Sequence, residues 1–313
     1  MAPPATIRVA LDWTPNTLHS GLYVAQAKDF YTTAGLAVTL LPPSPEYTTT
    51  PARLVASHDA DLAVCPSESC LAYAESGTLS LQAIYAICQR DASAIVTGSP
   101  SASLKDLGAG VYGSYNARYE DAIVRSMVDA AGGDGRAMKI EAAKGKLTLF
   151  DEVGAGGVDA TWVFLPWEGV EAEMQGRELG VYRPGDFGVP YGYSPVIARD
   201  AKGGEVSAEA LKAFVRETAR GYQFCVAHPD EAAEIMAKVV QGREKEFLKK
   251  SQVAINEYYG GATAFSLGQM DGKKWDEWVA WLREKGLFKK DDVNMKNLFT
   301  NQFFNQCMLL EED

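Results

Sequence analysis

Basic charge and histidine are both in short supply here: 30 Lys and Arg face 41 Asp and Glu, a formal net charge of −11, and there are three histidines in 313 residues. Binding to nucleic acid needs a positive surface that releases counterions, so no nucleic-acid partner is expected. Anionic membrane surfaces are disfavoured for the same reason. No apolar run approaches the roughly 20 residues needed to span a bilayer, so membrane insertion is not expected. The five cysteines (Cys65, Cys70, Cys88, Cys225, Cys307) are odd in number and lack framework spacing. That argues against a disulfide scaffold and for buried free thiols in a reducing compartment. Cys65 and Cys70 stand at the wrong interval for a zinc knuckle with no histidine nearby, so no metal is expected. Serine nucleophile elbows, Walker loops and dinucleotide fingerprints are missing, and no cofactor is expected. The opening MAPPATIRVALDW carries no basic segment and apolar core ahead of its first strand. A cytoplasmic location is the expectation, with a periplasmic one only if a leader was removed.

What is present is an ordinary globular balance, 47% hydrophobic and 23% charged, over a length that suits two domains. TIRVALD is a β-branched run that predicts a strand. LYVAQAKDFYTTAG has helical spacing and stops at Gly35. LAVTLLPP predicts a second strand, TPARLVASHD a helix with Pro51 in its first turn, and ADLAVCPS a third strand. SESCLAYAESG reads as a helix from a serine cap to Gly77, and SLQAIYAIC as a fourth strand. Strands alternating with helices predict a parallel sheet. The pattern then restarts, with strands in SAIVTG, GAGVYGS, MKIEAA and GGVDATWVF and helices in ARYEDAIVRSMVDAAGG and PWEGVEAEMQG. SPVIARD reads as a strand returning to the first half, and the last hundred residues are mainly helical. The expected assembly is an α/β fold of two lobes, each a mostly parallel sheet flanked by helices, with a helical C-terminal tail. Lobe 1 is expected over residues 1–92 plus 193–313 and lobe 2 over 93–192.

The order of DWTPNTLHSGLYVAQAKDFY, GLAVTLLPP, ASHDADLAVCPS, LKDLGAGVYGS and GGVDATWVFLPWEG resembles the thiamine-pyrimidine group of the type II periplasmic-binding-protein fold. That group takes in the formylaminopyrimidine-binding proteins of bacteria and the fungal enzymes that make hydroxymethylpyrimidine phosphate. The resemblance covers residues 6–305 and is most specific in the first fifty. It implies a ligand held between two lobes that close by hinge motion, at strand C-termini and helix N-termini. The fungal enzymes carry, after the third strand, a lysine for their cofactor and, four residues on, a histidine that is consumed; Cys65 and Ser69 stand at those places. Their cysteine-rich run before the returning strand is replaced by GVPYG, Gly188 to Gly192. Their glycine-rich phosphate turn corresponds to Gly113, Ser114, Tyr115, Asn116 and Ala117, where the lysine is gone and Arg118 follows one turn on.

A flat aminopyrimidine calls for aromatic faces and for acceptors and donors along its edge, each stacked face contributing roughly 1–3 kcal/mol. Trp13, Tyr115, Trp162, Trp167 and Tyr191 are candidate faces, with packing between lobes or in the core as the alternative for Trp13 and Trp162. Asp12, Asn16, Glu68 and Glu168 are candidate polar partners. Asp12 alternatively caps a turn, and Glu168 alternatively serves the dipole of its own helix. His19 is read as a ligand contact or a satisfied structural histidine, while Gly113 and Ser114 offer backbone donors, in a turn that also brings Asn116, to a weaker phosphate site or a neutral ligand. No catalytic residue is assigned. The expected function is binding of a small heteroaromatic ligand, a thiamine-related aminopyrimidine, without the lysine and histidine chemistry. The alternative is a cytosolic enzyme of pyrimidine metabolism, such as a diverged hydroxymethylpyrimidine phosphate synthase.

Overall fold

Ten strands form two five-stranded sheets, and a computed structural model describes residues 3–44, 47–143, 149–260, 267–289 and 297–304 of the chain. Two compact units result: Met1–Asp91 with Gly192–Asp276 and Phe288–Asp313, and Ala92–Tyr191 with Glu277–Leu287.

In the first unit the strands are β1 (Ala5–Ala10), β2 (Leu36–Leu41), β3 (Leu62–Cys65), β4 (Leu81–Ala86) and β10 (Val196–Asp200), in the order β2-β1-β3-β10-β4. β1 pairs parallel with β2, Ala5 opposite Leu36, and with β3, Val9 opposite Leu62. β10 is antiparallel to both β3 and β4. In the second unit β5 (Ser93–Thr97), β6 (Val111–Ser114), β7 (Lys139–Ala142), β8 (Ala160–Phe164) and β9 (Gly180–Tyr182) lie in the order β7-β6-β8-β5-β9. β6 is parallel to β7 and β8, and β5 is antiparallel to β8 and β9. Both sheets are therefore mixed, each with a single strand running against the other four. Each sheet is mostly parallel, as expected, with one strand reversed. β10 and β5 are each the first strand after the chain passes from one unit to the other, so no right-handed βαβ crossover sets their direction.

Strands β3, β4 and β5 are buried along their full lengths, as LAVC, LQAIYA and SAIVT suggest for strands covered on both faces. The first helical stretch is broken, running over Ser20–Ala27 and Phe30–Thr33 with Asp29 left-handed at φ 58° between them. The helix Ser67–Ser76 starts after Pro66 without a side-chain cap, where a serine cap was expected, and stops at Gly77 at φ 70°. The short edge strand β9 carried no clear alternation in sequence.

Glycines allow one close crossing in the first unit, between Ser20–Ala27 and the helix Ala208–Ala227. A Cβ on Gly21 would meet the Tyr222 ring at 2.3 Å, and one on Gly221 would meet the Gly21 carbonyl at 2.0 Å. The Tyr222 hydroxyl donates to Leu18 O at 2.9 Å and the ring packs edge-on to Tyr259, which fixes the start of the first helix. Four of the cysteines, Cys65, Cys70, Cys88 and Cys225, are free and buried; Cys307 lies outside the described residues. Among the described residues no helix is long and apolar enough to cross a membrane.

Candidate functional site

The ends of the central strands carry the polar and aromatic groups, as the geometry of open α/β sheets dictates. In the first unit β1 runs out into Leu11, Asp12 and Trp13. Trp13 sits in the left-handed region at φ 65°, a conformation that costs a bulky L-residue about 1 kcal/mol or more. Its ring lies 6.5 Å from that of Tyr47, and the Tyr47 hydroxyl donates to Asp12 Oδ1. Burial pushes the Asp12 carboxyl up from its ordinary value, against the lowering effect of Tyr47 and the Trp13 backbone. Burial, with the Asp12 charge beside it, likewise pushes the Tyr47 phenol up. The structure thus joins Asp12, Trp13 and Tyr47 in one group.

Asn16 and His19 close the turn that follows. Asn16 caps the 3₁₀ turn Thr17–His19, its side chain accepting from Leu18 N at 2.9 Å, while His19 Nδ1 accepts from Asn16 N at 3.3 Å. This reciprocal box fixes the tautomer: with Nδ1 accepting, the neutral ring carries its proton on Nε2. The ring is fully buried with the Asp12 backbone close by, and burial lowers its pKa to about 4. Among the described residues Nε2 has no partner of hydrogen-bonding geometry.

The end of β3 adds Cys65, Ser69 and Cys70. The Cys70 side chain and then burial push the Cys65 thiol up, with the Asp12 charge adding to them and Ser69 opposing. Glu68 is buried in the first turn of Ser67–Ser76, and its Oε2 accepts from the buried Ser67 hydroxyl at 3.3 Å.

In the second unit the predicted residues fall into two groups. Gly113 and Ser114 are the last residues of β6, in register with β7, so their peptide groups belong to the sheet. A Cβ on Gly113 would press on Leu149 and Val158 at 3.2 Å. Beyond them, Tyr115 N donates to Glu120 Oε1 at 3.1 Å and Ala117 N to Glu120 Oε2 at 2.9 Å. Asn116, left-handed at φ 60°, donates its N–H to Ser114 Oγ at 3.0 Å. Burial, then the charges of Glu168 and Glu120, push the Tyr115 phenol up, which brings Tyr115 and Glu168 together. Glu168 itself lies in the π-helical turn Leu165–Gly169 after β8, and its Oε2 accepts from Phe164 N at 2.9 Å. Trp167 shares that turn and is half-buried.

Trp162 and Tyr191 form the other group, ring centroids 5.4 Å apart, and Tyr191 packs edge-on against Trp278 at 5.3 Å. Trp278 then stacks on Trp281. Close by in sequence, an open cavity of about 440 Å³ is lined by Val189, Pro190, Glu277 and Trp281 among others. Among the described residues no group of three or more His, Cys, Asp or Glu is placed to hold a metal ion.

Sequence reasoning missed three members of these groups. Tyr47 sits in a proline- and threonine-rich loop, and a lone aromatic there was its one signal. Glu120 reads as an ordinary acid in a helix first turn. Trp278 belongs to a helix, Gly272–Glu284, whose tryptophan spacing announces only an apolar face.

Two five-stranded mixed sheets with strand-end turns of this kind define a two-unit binding-protein fold of the type II periplasmic class. The alkanesulfonate-binding protein of Xanthomonas axonopodis has it, with a TM-score of 0.72 at 13% identity over 96% of this chain and 99% of that one. The family described as NMT1/THI5 like matches residues 16–232, and the chain belongs to it. Over 292 residues it is 26% identical to the formylaminopyrimidine-binding protein of Halalkalibacterium halodurans, covering 88% of this chain and 84% of the relative. A Haemophilus influenzae protein named for thiamine biosynthesis is 24% identical over 291 residues, 91% and 88% of the two chains.

Proposed function

We propose that this protein binds a small planar heterocycle of the thiamine-related aminopyrimidine class and releases it unchanged. The observation that carries the reading is Trp13, held left-handed at the end of β1 with Asp12 and Tyr47 beside it. An indole offers a face to a flat ring, and a half-buried carboxyl beside it offers an acceptor to an exocyclic amine. Family membership and the formylaminopyrimidine-binding relative supply the ligand class. Cys65 and Ser69 stand where the fungal enzymes have a lysine and a histidine, and the buried Cys65 thiol is pushed away from its reactive form. Those features favour binding over covalent chemistry. The buried free thiols favour the cytoplasm as the compartment. Cell fractionation checks that assignment against an exported form.

The decisive experiment is thermal stabilisation by a formylaminopyrimidine and by a hydroxymethyl-aminopyrimidine. Wild-type protein is expected to gain stability with one or both, and Trp13→Ala to lose that gain while its circular dichroism spectrum stays unchanged. Equal stabilisation of the variant would remove Trp13 from the site and the reading with it.

A further inference from the structure

The turn between β6 and the helix Glu120–Ala130 has successive backbone N–H groups at a helix N-terminus, a form that suits an anion. It already contains one. Glu120 Oε1 accepts from the Tyr112 hydroxyl at 2.8 Å and from Tyr115 N at 3.1 Å, and Oε2 accepts from Ala117 N at 2.9 Å. The Glu120 side chain is buried, 4% exposed, and is the first residue of that helix. Two further donors are spent in the same way: Asn116 N on Ser114 Oγ at 3.0 Å, and the Ser114 hydroxyl on Asp121 Oδ1 at 2.7 Å. Arg118 is exposed with its guanidinium over the Tyr119 ring at 5.8 Å. A phosphate brought to this turn finds the peptide N–H groups of residues 115–117 occupied, and it faces carboxylates that only accept.

We propose that Glu120 is a specificity-determining residue, a built-in anion that closes this turn to phosphorylated ligands, so that the protein takes its pyrimidine as the free compound and rejects the phosphate ester. The inference rests on the preceding reading of the ligand class, together with the expectation from the family resemblance that residues 113–116 meet the ligand. The discriminating element repels the wrong ligand instead of gripping the right one.

The test compares a hydroxymethyl-aminopyrimidine, its monophosphate ester and inorganic phosphate, at matched ionic strength, on wild-type protein, Glu120→Ala and Glu120→Gln. Wild-type protein should bind the free pyrimidine about 100-fold more tightly than the ester and show no melting shift with inorganic phosphate above that with chloride. Glu120→Ala should gain a phosphate-dependent rise in melting temperature, as the ion takes the vacated donors, and its discrimination should fall to within about 10-fold. Wild-type binding of the ester as tight as of the free compound would overturn the proposal. So would a folded Glu120→Ala with no phosphate-specific stabilisation. Should wild-type protein bind neither pyrimidine while Glu120→Ala acquires phosphate stabilisation, the ligand class is wrong and the closed turn stands. If Glu120→Ala does not fold, Glu120→Gln decides through the two pyrimidines, because it keeps the side chain's size and one acceptor. Its discrimination must fall about 10-fold or more, and an unchanged ratio rejects the role.

Discussion

The two units are built on one plan and finished differently. In each, the sheet order is second, first, third, reversed and fourth strand: β2-β1-β3-β10-β4 and β7-β6-β8-β5-β9. In each, the first strand ends near a non-glycine residue in the left-handed region, Trp13 at φ 65° and Asn116 at φ 60°. In each, the third strand leads to a Pro-x-Glu turn, Pro66-Ser67-Glu68 and Pro166-Trp167-Glu168. The fillings diverge. At the first unit's strand end the acid, Asp12, is held by a hydroxyl from a separate loop, and the histidine beyond it has a buried Nε2 with no hydrogen-bond partner among the described residues. At the second unit's strand ends Glu120 and Glu168 grip the main chain itself. The same scaffold can thus hold its acids through a distant loop or spend them on its own turns, and the choice lies in a few side chains placed after the strands.

The largest expected separation of the units is by pH. All three histidines, His19, His58 and His228, belong to the first unit. His19 has its pKa lowered to about 4 in the folded protein, so between about 6.5 and about 4 the unfolded chain binds the extra proton and stability falls with falling pH. The loss over that window is roughly 3 kcal/mol, with Asp12 opposing because its raised pKa acts in the other direction. Urea unfolding of wild-type protein and His19→Gln across the window isolates the effect as a difference. Coincident profiles would show that the ring titrates alike in both states.

Next comes the grip of the second unit's acids. Glu120→Ala strands three donors and should cost about 2 kcal/mol, whereas Glu168→Ala releases the Phe164 N–H and should cost about 1 kcal/mol. Equal costs in denaturant unfolding would mean that water replaces the Glu120 carboxylate without penalty. The smallest effect concerns the left-handed pair. Trp13→Gly should be about 1 kcal/mol more stable than Trp13→Ala, since glycine removes the Cβ penalty at φ 65°. Asn116→Gly against Asn116→Ala should show the same sign, and the native Asn116, a residue that tolerates this region, should lie within about 0.5 kcal/mol of the glycine variant. A Trp13→Gly variant no more stable than Trp13→Ala would argue that the turn relaxes once the indole is gone.

Much of this plan was legible in the sequence, because its parts are local. Apolar runs such as LAVC and SAIVT are bounded by turns, and Pro51 and Gly77 sit where helix starts and stops require them. The candidate residues at the ends of β1 and β8 could be picked because a strand that leads into Asp-Trp or Pro-Trp-Glu breaks the core pattern, whereas those at the end of β6 came from the family resemblance. What could not be read depends on chain direction and on partners distant in sequence. Nothing in SAIVT or VIARD encodes that β5 and β10 run against their neighbours. The bond from Tyr47 to Asp12 joins residues 35 apart. Glu120 was invisible for another reason: an acid in a helix first turn is favourable by itself, and only the coordinates reveal which N–H groups it takes.

The late arrival of β10 has a consequence for how the protein is made. Among the described residues β4 joins the first sheet only through β10, so residues 81–86 have no such strand neighbour from their own sheet until the chain has been synthesised past Asp200. The second sheet, by contrast, draws all its strands from Ser93–Tyr182. On the ribosome, the later-starting sheet is therefore the first whose strands have all emerged.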